Sequence, residues 1–370
     1  MKTTRRDSFK LLGAPLALLA VPLGAVARGR DEALHTDKVF TIGNAAAGNE
    51  LLVFSPDDQG GLALTARAST QGTGGGAGLG SQGALALSGD GRHIFVVNAG
   101  SNTVSTFALH GRELEFVSSV DAGGLHPISV TERDGVVVVL NDRGAGNIAA
   151  LRNHDGQLQP IAGARRPLSA AGGTGPAQVS FSADGDSVVV SEKNTNRLLT
   201  YRVAEDGSLG APVIKASAGL VPFGFAFDRR NRVFVTEAGA STVSSYRLDG
   251  STLQTLSAAV ATTQAAACWM AVTPNGRYCY SSNTASDSIS SFRIERDGRI
   301  ELLAAVAAAV GVNSTPVDSA IAAGGHRLYL LDRGNRRIVA FRIAPDGSLE
   351  ATGSSGNNSL PASVVGLTAN

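Results

Sequence analysis

The stretch of sequence that decides the fold is Pro176–Ser217, PAQVSFSADGDSVVVSEKNTNRLLTYRVAEDGSLGAPVIKAS. Apolar and polar residues alternate along it, and Asp-Gly pairs interrupt the pattern twice. An alternation with a period of two predicts half-buried strands, and Asp-Gly predicts tight hairpin turns. Strands are expected at Ala177–Ser182, Ser187–Ser191 and Leu198–Val203, followed by a turn at residues 205–208 and a last strand. The stretch therefore predicts one unit of four antiparallel strands.

The same unit recurs along the whole chain. Thr273–Tyr280 (TPNGRYCY) repeats the first hairpin, and Phe341–Gly347 (FRIAPDG) repeats the second. A polar residue ends the second strand of each copy, and these seven anchor residues are Asn44, Asn98, Asn141, Glu192, Glu237, Asn283 and Asp332. Repeated four-stranded units predict an all-β, seven-bladed β-propeller of antiparallel blades, in which each blade covers the apolar face of its neighbour.

The two ends of the chain are expected to close this ring. The first unit, from Lys38, lacks an innermost strand, and residues 361–367, PASVVGL, lie close to the last residue of the sequence, Asn370. That tail begins with proline, as the innermost strands predicted from Pro127 and Pro176 do. We therefore expect residues 361–367 to pair beside Val39–Ile42, which removes two open strand edges.

Residues 1–27 are predicted to be a cleavable export signal. A basic start with Arg5-Arg6 precedes an apolar run, and the small residues Ala25-Val26-Ala27 precede Arg28. The paired arginines resemble a twin-arginine signal, although Ser8 stands where that pattern usually has Phe; a general secretory signal is the alternative.

This signal predicts where the protein works and how the chain is divided. The apolar run is too short for a stable membrane span, so we expect no membrane anchor after cleavage. Residues 28–37 are predicted as an N-terminal lead and residues 38–370 as the propeller. The predicted location is the periplasm or the medium.

Composition excludes two classes of protein. Apolar residues make up 43% of the 370 residues, enough to bury a core, which excludes a disordered chain. Lys and Arg number 32 and Asp and Glu 31, with no dense basic stripe, so nucleic acid is not expected as a partner. We expect a monomer that binds a small molecule.

The two cysteines, Cys268 and Cys279, flank the turn Thr273–Arg277. If Thr273 faces Arg277 across the hairpin, Cys279 lies opposite Ala271 and the two thiols fall on opposite faces of the sheet. The sequence therefore predicts two buried free thiols and no disulfide.

One face of a propeller carries the loops that enter the innermost strands and leave the second strands; we call this face the mouth. Ligands usually bind at such loops. Among six histidines, His126 alone is expected at the mouth. It is a candidate catalyst, with a satisfied loop residue as the alternative. The Gly-rich run of residues 72–80 precedes a strand and no helix, so it predicts a flexible connection between blades rather than a phosphate loop.

The anchor residues include three carboxylates, which have two interpretations. Asn at such a position bonds the local backbone of a turn, and Glu192, Glu237 and Asp332 could do the same. The functional alternative is that Glu192 and Glu237 approach each other at the mouth, where one acts as general base and the pair holds a divalent cation. No cofactor is expected to be required.

Several further residues are candidate contacts for a substrate. Arg143, Lys193 and Arg333 follow anchor residues and could bind a carboxylate or an oxyanion; solvated surface charge is the alternative. A second set lies two residues past the start of an innermost strand, and its candidate binding residues are Gln178, Trp269 and Asp318. Trp269 could form an apolar wall for a ring-shaped substrate, and packing between blades is the alternative.

The repeat resembles the propeller lactonase family, which includes bacterial 6-phosphogluconolactonases and fungal carboxymuconate-lactonizing enzymes. The resemblance covers residues 38–370 and rests on Ser182–Gly185 followed by Val188–Val190, on Ser191–Asn196, on Ala266–Trp269, and on the Asp-Gly segments at 296–300 and 345–349. It implies an exported member that opens or forms a lactone of an organic acid.

By this resemblance Glu192 or Glu237 would move the proton, and Arg143 or Arg333 would steady negative charge. The family's enzymes imply a histidine in the innermost strands of the middle blades, where this chain has Gln178. A sugar-phosphate lactone is a cytoplasmic metabolite, which disfavours that substrate for an exported protein. The alternative function is a non-catalytic envelope propeller that binds a partner or small ligand at the mouth.

Overall fold

The computed structural model describes residues 37–111 and 113–370, and in that part of the chain every regular element is a strand. No helix of these residues is long and apolar enough to cross a membrane. Strands β1 to β14 are Val39–Ile42, Glu50–Pro56, Leu62–Ser69, Leu85–Leu87, His93–Asn98, Thr103–His110, Glu113–Asp121, Leu125–Arg133, Val136–Arg143, Asn147–His154, Gln157–Pro167, Pro176–Phe181, Ser187–Glu192 and Arg197–Arg202. Strands β15 to β28 are Val213–Ala216, Pro222–Phe227, Arg232–Glu237, Thr242–Asp249, Thr252–Ala261, Ala267–Val272, Tyr278–Asn283, Ser288–Ile294, Ile300–Ala309, Pro316–Ile321, Arg327–Asp332, Arg337–Ile343, Leu349–Ser354 and Val365–Ala369.

These strands form seven antiparallel sheets of four strands each. Blade 1 has the order β28-β1-β2-β3, and blades 2 to 7 use β4–β7, β8–β11, β12–β15, β16–β19, β20–β23 and β24–β27. Innermost strands of neighbouring blades contact one another around the ring. The predicted seven-bladed β-propeller of four-stranded blades is confirmed.

Position within a blade explains the sequence of each strand. The second strand β13 reads SVVVSE and is buried along its whole length, because neighbouring blades cover both of its faces. The outermost strand β23 reads IELLAAVAAA and is buried only in part, because one edge faces solvent. The short polar turns that join successive strands of a blade lie on the two faces of the ring.

The chain ends close the ring, as predicted, but the closing strand lies further along the sequence. It spans Val365–Ala369 and pairs antiparallel with β1, with Val39 opposite Ala369. Residues 361–364 form a turn instead, in which the Val364 amide donates to the Pro361 carbonyl at 3.2 Å. The prediction that residues 361–367 form the strand is therefore wrong at its start.

Both cysteines are buried free thiols, as predicted. The predicted register is wrong by one residue, because Cys279 lies opposite Val272 and Thr273 pairs with Tyr278 around a tighter turn. Burial raises the pKa of the Cys268 thiol to about 11 and that of Cys279 further. Both thiols therefore stay protonated at neutral pH.

The central channel is crossed by residues 81–83, which precede β4 of blade 2. The Gln82 side chain donates to the Met270 carbonyl at 2.9 Å and accepts from the Met270 amide at 3.0 Å. The Gln82 amide donates to the Ala177 carbonyl, and the Val130 amide to the Gly83 carbonyl. This segment thus joins blade 2 to blades 3, 4 and 6 through the middle of the ring.

Candidate functional site

Residues 70–84, here called the mouth loop, connect β3 to β4 and cover the mouth. Asn44 holds the loop with two side-chain hydrogen bonds, from its Nδ2 to the Ala77 carbonyl at 2.6 Å and to its Oδ1 from the Gly75 amide at 2.8 Å. A Cβ atom on Gly74 would overlap the backbone of Asn44, and one on Gly78 would overlap the guanidinium of Arg333. Residues 72–80 therefore lie in a connection between blades, whose predicted flexibility stays a prediction, and the hydrogen bonds and packing of the loop place it against the predicted site residues.

His126 lies under this loop in a defined orientation. Its Nδ1 is 2.8 Å from Oδ1 of Asp142, and its side chain is nearly enclosed. Its backbone is left-handed, with φ of 57°, and its amide donates to Oδ1 of Asn102 at 2.7 Å. The Nε2 atom faces Gly75 of the mouth loop. When Nδ1 carries the proton and donates to Asp142, Nε2 is free to accept one.

Lys193 is the second charged group beneath the loop. Its Nζ donates to the Gly80 carbonyl at 2.6 Å and lies 5.1 Å from the centre of the Phe223 ring. Burial lowers the pKa of Lys193, and the charge of Asp142 opposes that shift. A partly desolvated ammonium held by one carbonyl binds an anion strongly when that carbonyl moves away.

The structure gives Trp269 and Gln178 packing roles. The Trp269 ring lies 4.8 Å from that of Phe223, and its Nε1 donates to the Ser81 carbonyl at 3.1 Å. Gln178 bonds the Phe225 backbone with both ends of its amide, which ties blade 4 to blade 5. These contacts favour packing between blades, the alternative stated for Trp269.

Asp318 lies in the channel beside the closing strand. Its Oδ2 accepts from the Gly366 amide at 3.2 Å, and burial raises its pKa to about 7. Arg333 and Arg143 are exposed at the mouth, and no ion pair or hydrogen bond within residues 37–111 and 113–370 uses either guanidinium. Arg333 is near enough to Asp318 to act on its charge.

The carboxylates among the anchor residues accept hydrogen bonds from their own blades and from the connections that join the preceding blades to them. Glu237 accepts from Gly219, Ser217, Ser244 and Thr242 at 2.6 to 3.0 Å. Glu192 accepts from both the amide and the hydroxyl of Ser169 and from the Thr195 hydroxyl, so its two oxygens are also bonded. Both side chains are fully buried, and in the described part of the chain no hydrogen bond joins them.

Asp332 has the same role in blade 7. It accepts from the Thr315 amide at 3.1 Å, from Nδ2 of Asn335 at 2.8 Å and from Nε of Arg337 at 3.0 Å. Burial opposes ionisation of Asp332, but these hydrogen bonds keep its pKa below the usual value. The structural interpretation therefore fits all three carboxylates. In the described residues no group of three or more His, Cys, Asp or Glu side chains is placed to hold a metal ion.

The structure therefore brings together three of the residues that matter chemically: His126, Asp142 and Lys193. Sequence reasoning missed Asp142 and Phe223, although Asp142 directly follows an anchor residue, as Lys193 and Arg333 do. The arrangement combines an oriented imidazole, a partly buried ammonium and a loop that excludes water. Such a group can take up a proton and stabilise negative charge nearby.

Comparison with known proteins agrees with this architecture. A family model described as "Lactonase, 7-bladed beta-propeller" matches residues 47–165, 148–262 and 251–365. A search of the curated proteins found no match. Three solved structures with the same fold are each 14 to 18% identical to this chain.

The periplasmic gluconolactonase of Pseudomonas aeruginosa is 18% identical, with a TM-score of 0.67 over 88% of this chain and 98% of that one. A candidate 6-phosphogluconolactonase from Bacteroides uniformis is 18% identical, with a TM-score of 0.71 over 89% and 99%. A protein from Lactobacillus plantarum is 14% identical, with a TM-score of 0.74 over 91% and 99%. These likenesses show the fold, and the family match, which spans most of the chain, shows that the protein belongs to the lactonase family of seven-bladed β-propellers.

Proposed function

We propose that the protein hydrolyses a lactone of an organic acid at the mouth, with His126 as the general base. The observation that carries this proposal is the 2.8 Å contact between Nδ1 of His126 and Asp142, which leaves Nε2 facing the mouth loop. An imidazole oriented by a carboxylate is a recurring base in acyl transfer. Glu192 and Glu237 are not assigned to this step, because their oxygens already accept hydrogen bonds.

In the proposed step, Nε2 of His126 removes a proton from water as its oxygen adds to the lactone carbonyl. The carbonyl oxygen becomes an oxyanion, which the ammonium of Lys193 stabilises. When the carbonyl re-forms, the ring C–O bond breaks, and the leaving oxygen takes the proton back from His126. The product is the open hydroxy acid, and the imidazole returns to its neutral form.

The mouth loop must move for a substrate to reach these groups. In the structure the Gly80 carbonyl accepts a hydrogen bond from Nζ of Lys193, and the guanidinium of Arg333 lies against Gly78. An anionic substrate would replace the Gly80 carbonyl at Lys193 and use the exposed guanidinium of Arg333 or Arg143 for its carboxylate. Loop closure over the bound substrate would then exclude water from the reacting carbonyl.

We also propose that the protein is exported. The support is the sequence of residues 1–27, which lie outside the described residues. Export through the predicted signal favours lactones of unphosphorylated organic acids over sugar-phosphate lactones, which are metabolites of the cytoplasm.

The proposed reaction is tested with a panel of five- and six-membered lactones, whose hydrolysis is monitored through the protons that it releases. We expect wild-type turnover of at least one lactone and a loss of kcat/KM of about 10²–10⁴ in His126→Asn. Asn is chosen because it tolerates the left-handed backbone at this position. The matched control is His110→Asn, because His110 is exposed at the end of β6. Turnover that is equal in His126→Asn and wild type would contradict the assignment.

A non-catalytic binding module is the second candidate. The observation that favours it is the channel segment 81–83, which joins opposite blades and makes the centre of the ring rigid. If no lactone on the panel is turned over and small organic acids still bind, this candidate is supported. Binding would then be lost in Lys193→Met and kept in His110→Asn.

A further inference from the structure

The face opposite the mouth carries a cleft of about 360 Å³ between the turns of blades 5 and 6. Positively charged residues outnumber negatively charged ones in its lining. The cleft is lined by two acidic residues, Asp228 and Glu295, and by five arginines, namely Arg229, Arg230, Arg232, Arg277 and Arg296. A concentration of guanidinium groups of this kind attracts anions.

One of the arginines and one of the acids neutralise each other. Nε of Arg232 donates to Oδ2 of Asp228 at 2.7 Å, and both side chains are almost fully buried. This pair forms the floor of the cleft. The other four guanidinium groups belong to exposed residues, and within residues 37–111 and 113–370 none of them has an ion pair or a side-chain hydrogen bond.

Comparison of two equivalent turns shows why Arg277 lacks a partner. In blade 2, Asp90 accepts from the Ser88 hydroxyl and the Arg92 amide, and its second oxygen pairs with Nε of Arg92 at 2.6 Å. In blade 6 the side chain of Asn275 accepts the same two turn hydrogen bonds, from Thr273 and from the Arg277 amide. The turn is the same, but its negative charge is absent.

A second cleft, of about 400 Å³, adjoins the first and shares Arg229 and Arg277 with it. Its lining includes no Asp or Glu. Clefts of about 300–1,000 Å³ suit whole small molecules rather than single ions. The adjoining clefts therefore have room for a ligand whose charges lie several ångströms apart.

We propose that these adjoining clefts, here called the arginine groove, bind a small hydrophilic molecule that carries two or more phosphate or carboxylate groups. Guanidinium groups bind both kinds of oxyanion through paired N–H donors. Arg277 is held over the Tyr278 ring, 5.5 Å from its centre, so part of its orientation is already set. The groove lies on the face opposite the mouth, so the proposal is independent of the proposed lactone chemistry.

Calorimetric titration of the full chain with two probes, tripolyphosphate and trigalacturonate, tests the groove. We expect binding of at least one probe, weakened by added salt, and no binding of the neutral trisaccharide maltotriose. Whichever probe binds more tightly identifies the oxyanion as phosphate or carboxylate.

Two substitutions locate the binding. Asn275→Asp restores the carboxylate found in blade 2, and we expect it to weaken binding about tenfold without unfolding the turn. Arg277→Gln should weaken binding to a similar extent. The matched control, Arg92→Gln, removes an arginine from the equivalent turn of blade 2 and should leave binding unchanged. Failure of both probes to bind, or equal binding by wild type and Asn275→Asp, would overturn the proposal, as would an equal loss in Arg92→Gln.

Discussion

Glu237 and Lys193 are charged side chains on the same face of the propeller, yet their surroundings differ. The carboxylate of Glu237 accepts four hydrogen bonds, two from its own blade and two from the connection that follows β15 of blade 4, whereas Nζ of Lys193 donates to one carbonyl of the mouth loop. The first group is saturated by contacts that exist only when the blade is folded. The second can exchange its single partner for a ligand. The comparison separates charges that hold the fold from charges that are available for chemistry.

The other anchor residues support this distinction. Nδ2 of Asn98 donates to Thr103 and Ser105, and Nδ2 of Asn283 donates to Ser288 and Ser290. An amide and a carboxylate thus fill the same place in different blades and bond the neighbouring strand or loop. The anchor residues form a structural set, whichever of the two side chains is present.

The largest expected effect is on folding, from Glu237→Ala. The substitution leaves four donors without their acceptor, and those of Thr242 and Ser244 are buried. A buried donor that loses its partner costs about 1–3 kcal/mol. We expect the free energy of unfolding to fall by several kcal/mol and Tm to fall by about 10 °C or more. Thermal unfolding measures this, with Glu301→Ala as the matched control because Glu301 is exposed. A Tm within about 2 °C of wild type would break the comparison.

Two glycines of the mouth loop sharpen the comparison. A Cβ atom on Gly74 meets backbone, which cannot move cheaply, whereas one on Gly78 meets the mobile end of Arg333. We expect Gly74→Ala to destabilise the fold by about 1–3 kcal/mol and Gly78→Ala by less than about 0.5 kcal/mol. Denaturant unfolding of the two variants measures the difference. Equal losses would show that the loop does not pack as described.

Lys193→Met is expected to act on catalysis rather than on stability. Removal of the charge takes away the group that stabilises the oxyanion in the proposed step, so kcat should fall about 10²–10³-fold. Tm should stay close to that of wild type, because methionine fills the same apolar path beside Phe223. Steady-state kinetics and thermal unfolding of the same preparation measure both effects. A large fall in Tm with unchanged kcat would place Lys193 among the structural charges.

The smallest expected effect is a pH dependence of stability from Asp318. Burial raises the pKa of Asp318 in the folded state to about 7 from 3.8, so the folded state holds the proton more tightly. This contribution to stability is complete below pH 3.8 and declines as the pH rises through about 7. Asp318→Asn removes it, so the fall in Tm between pH 5 and pH 8.5 should shrink by about 2 °C or more. An identical fall in both proteins would contradict the burial of a protonated carboxyl group.

Local sequence patterns were sufficient to predict the blades. The alternation of apolar and polar residues and the Asp-Gly or Asn-Gly turns are each recognisable within a window of about ten residues. Their repetition along the chain predicts a ring of hairpins. The start of the closing strand was predicted too early, because Pro361 resembles the prolines that begin the other innermost strands. Here that proline begins a turn instead.

The candidate site was harder to predict because it depends on contacts between distant residues. Gln82 and Met270 are 188 residues apart in the sequence, and no periodicity connects them. The mouth loop therefore could not be placed from its glycines alone. The role of Glu192 was left open for a different reason, because a carboxylate that bonds a turn and one that acts as a base are the same residue type. Only the donors around it decide between them.

The most direct test compares kcat/KM of His126→Asn and Glu192→Gln on one lactone that the wild-type protein hydrolyses. Our account predicts a loss of about 10²–10⁴ in His126→Asn, because the proton acceptor is gone. It predicts that Glu192→Gln, corrected for the fraction of folded protein, keeps kcat/KM within about threefold of wild type. The reverse pattern, with Glu192→Gln inactive and His126→Asn active, would contradict the assignment of the chemistry to the groups beneath the mouth loop.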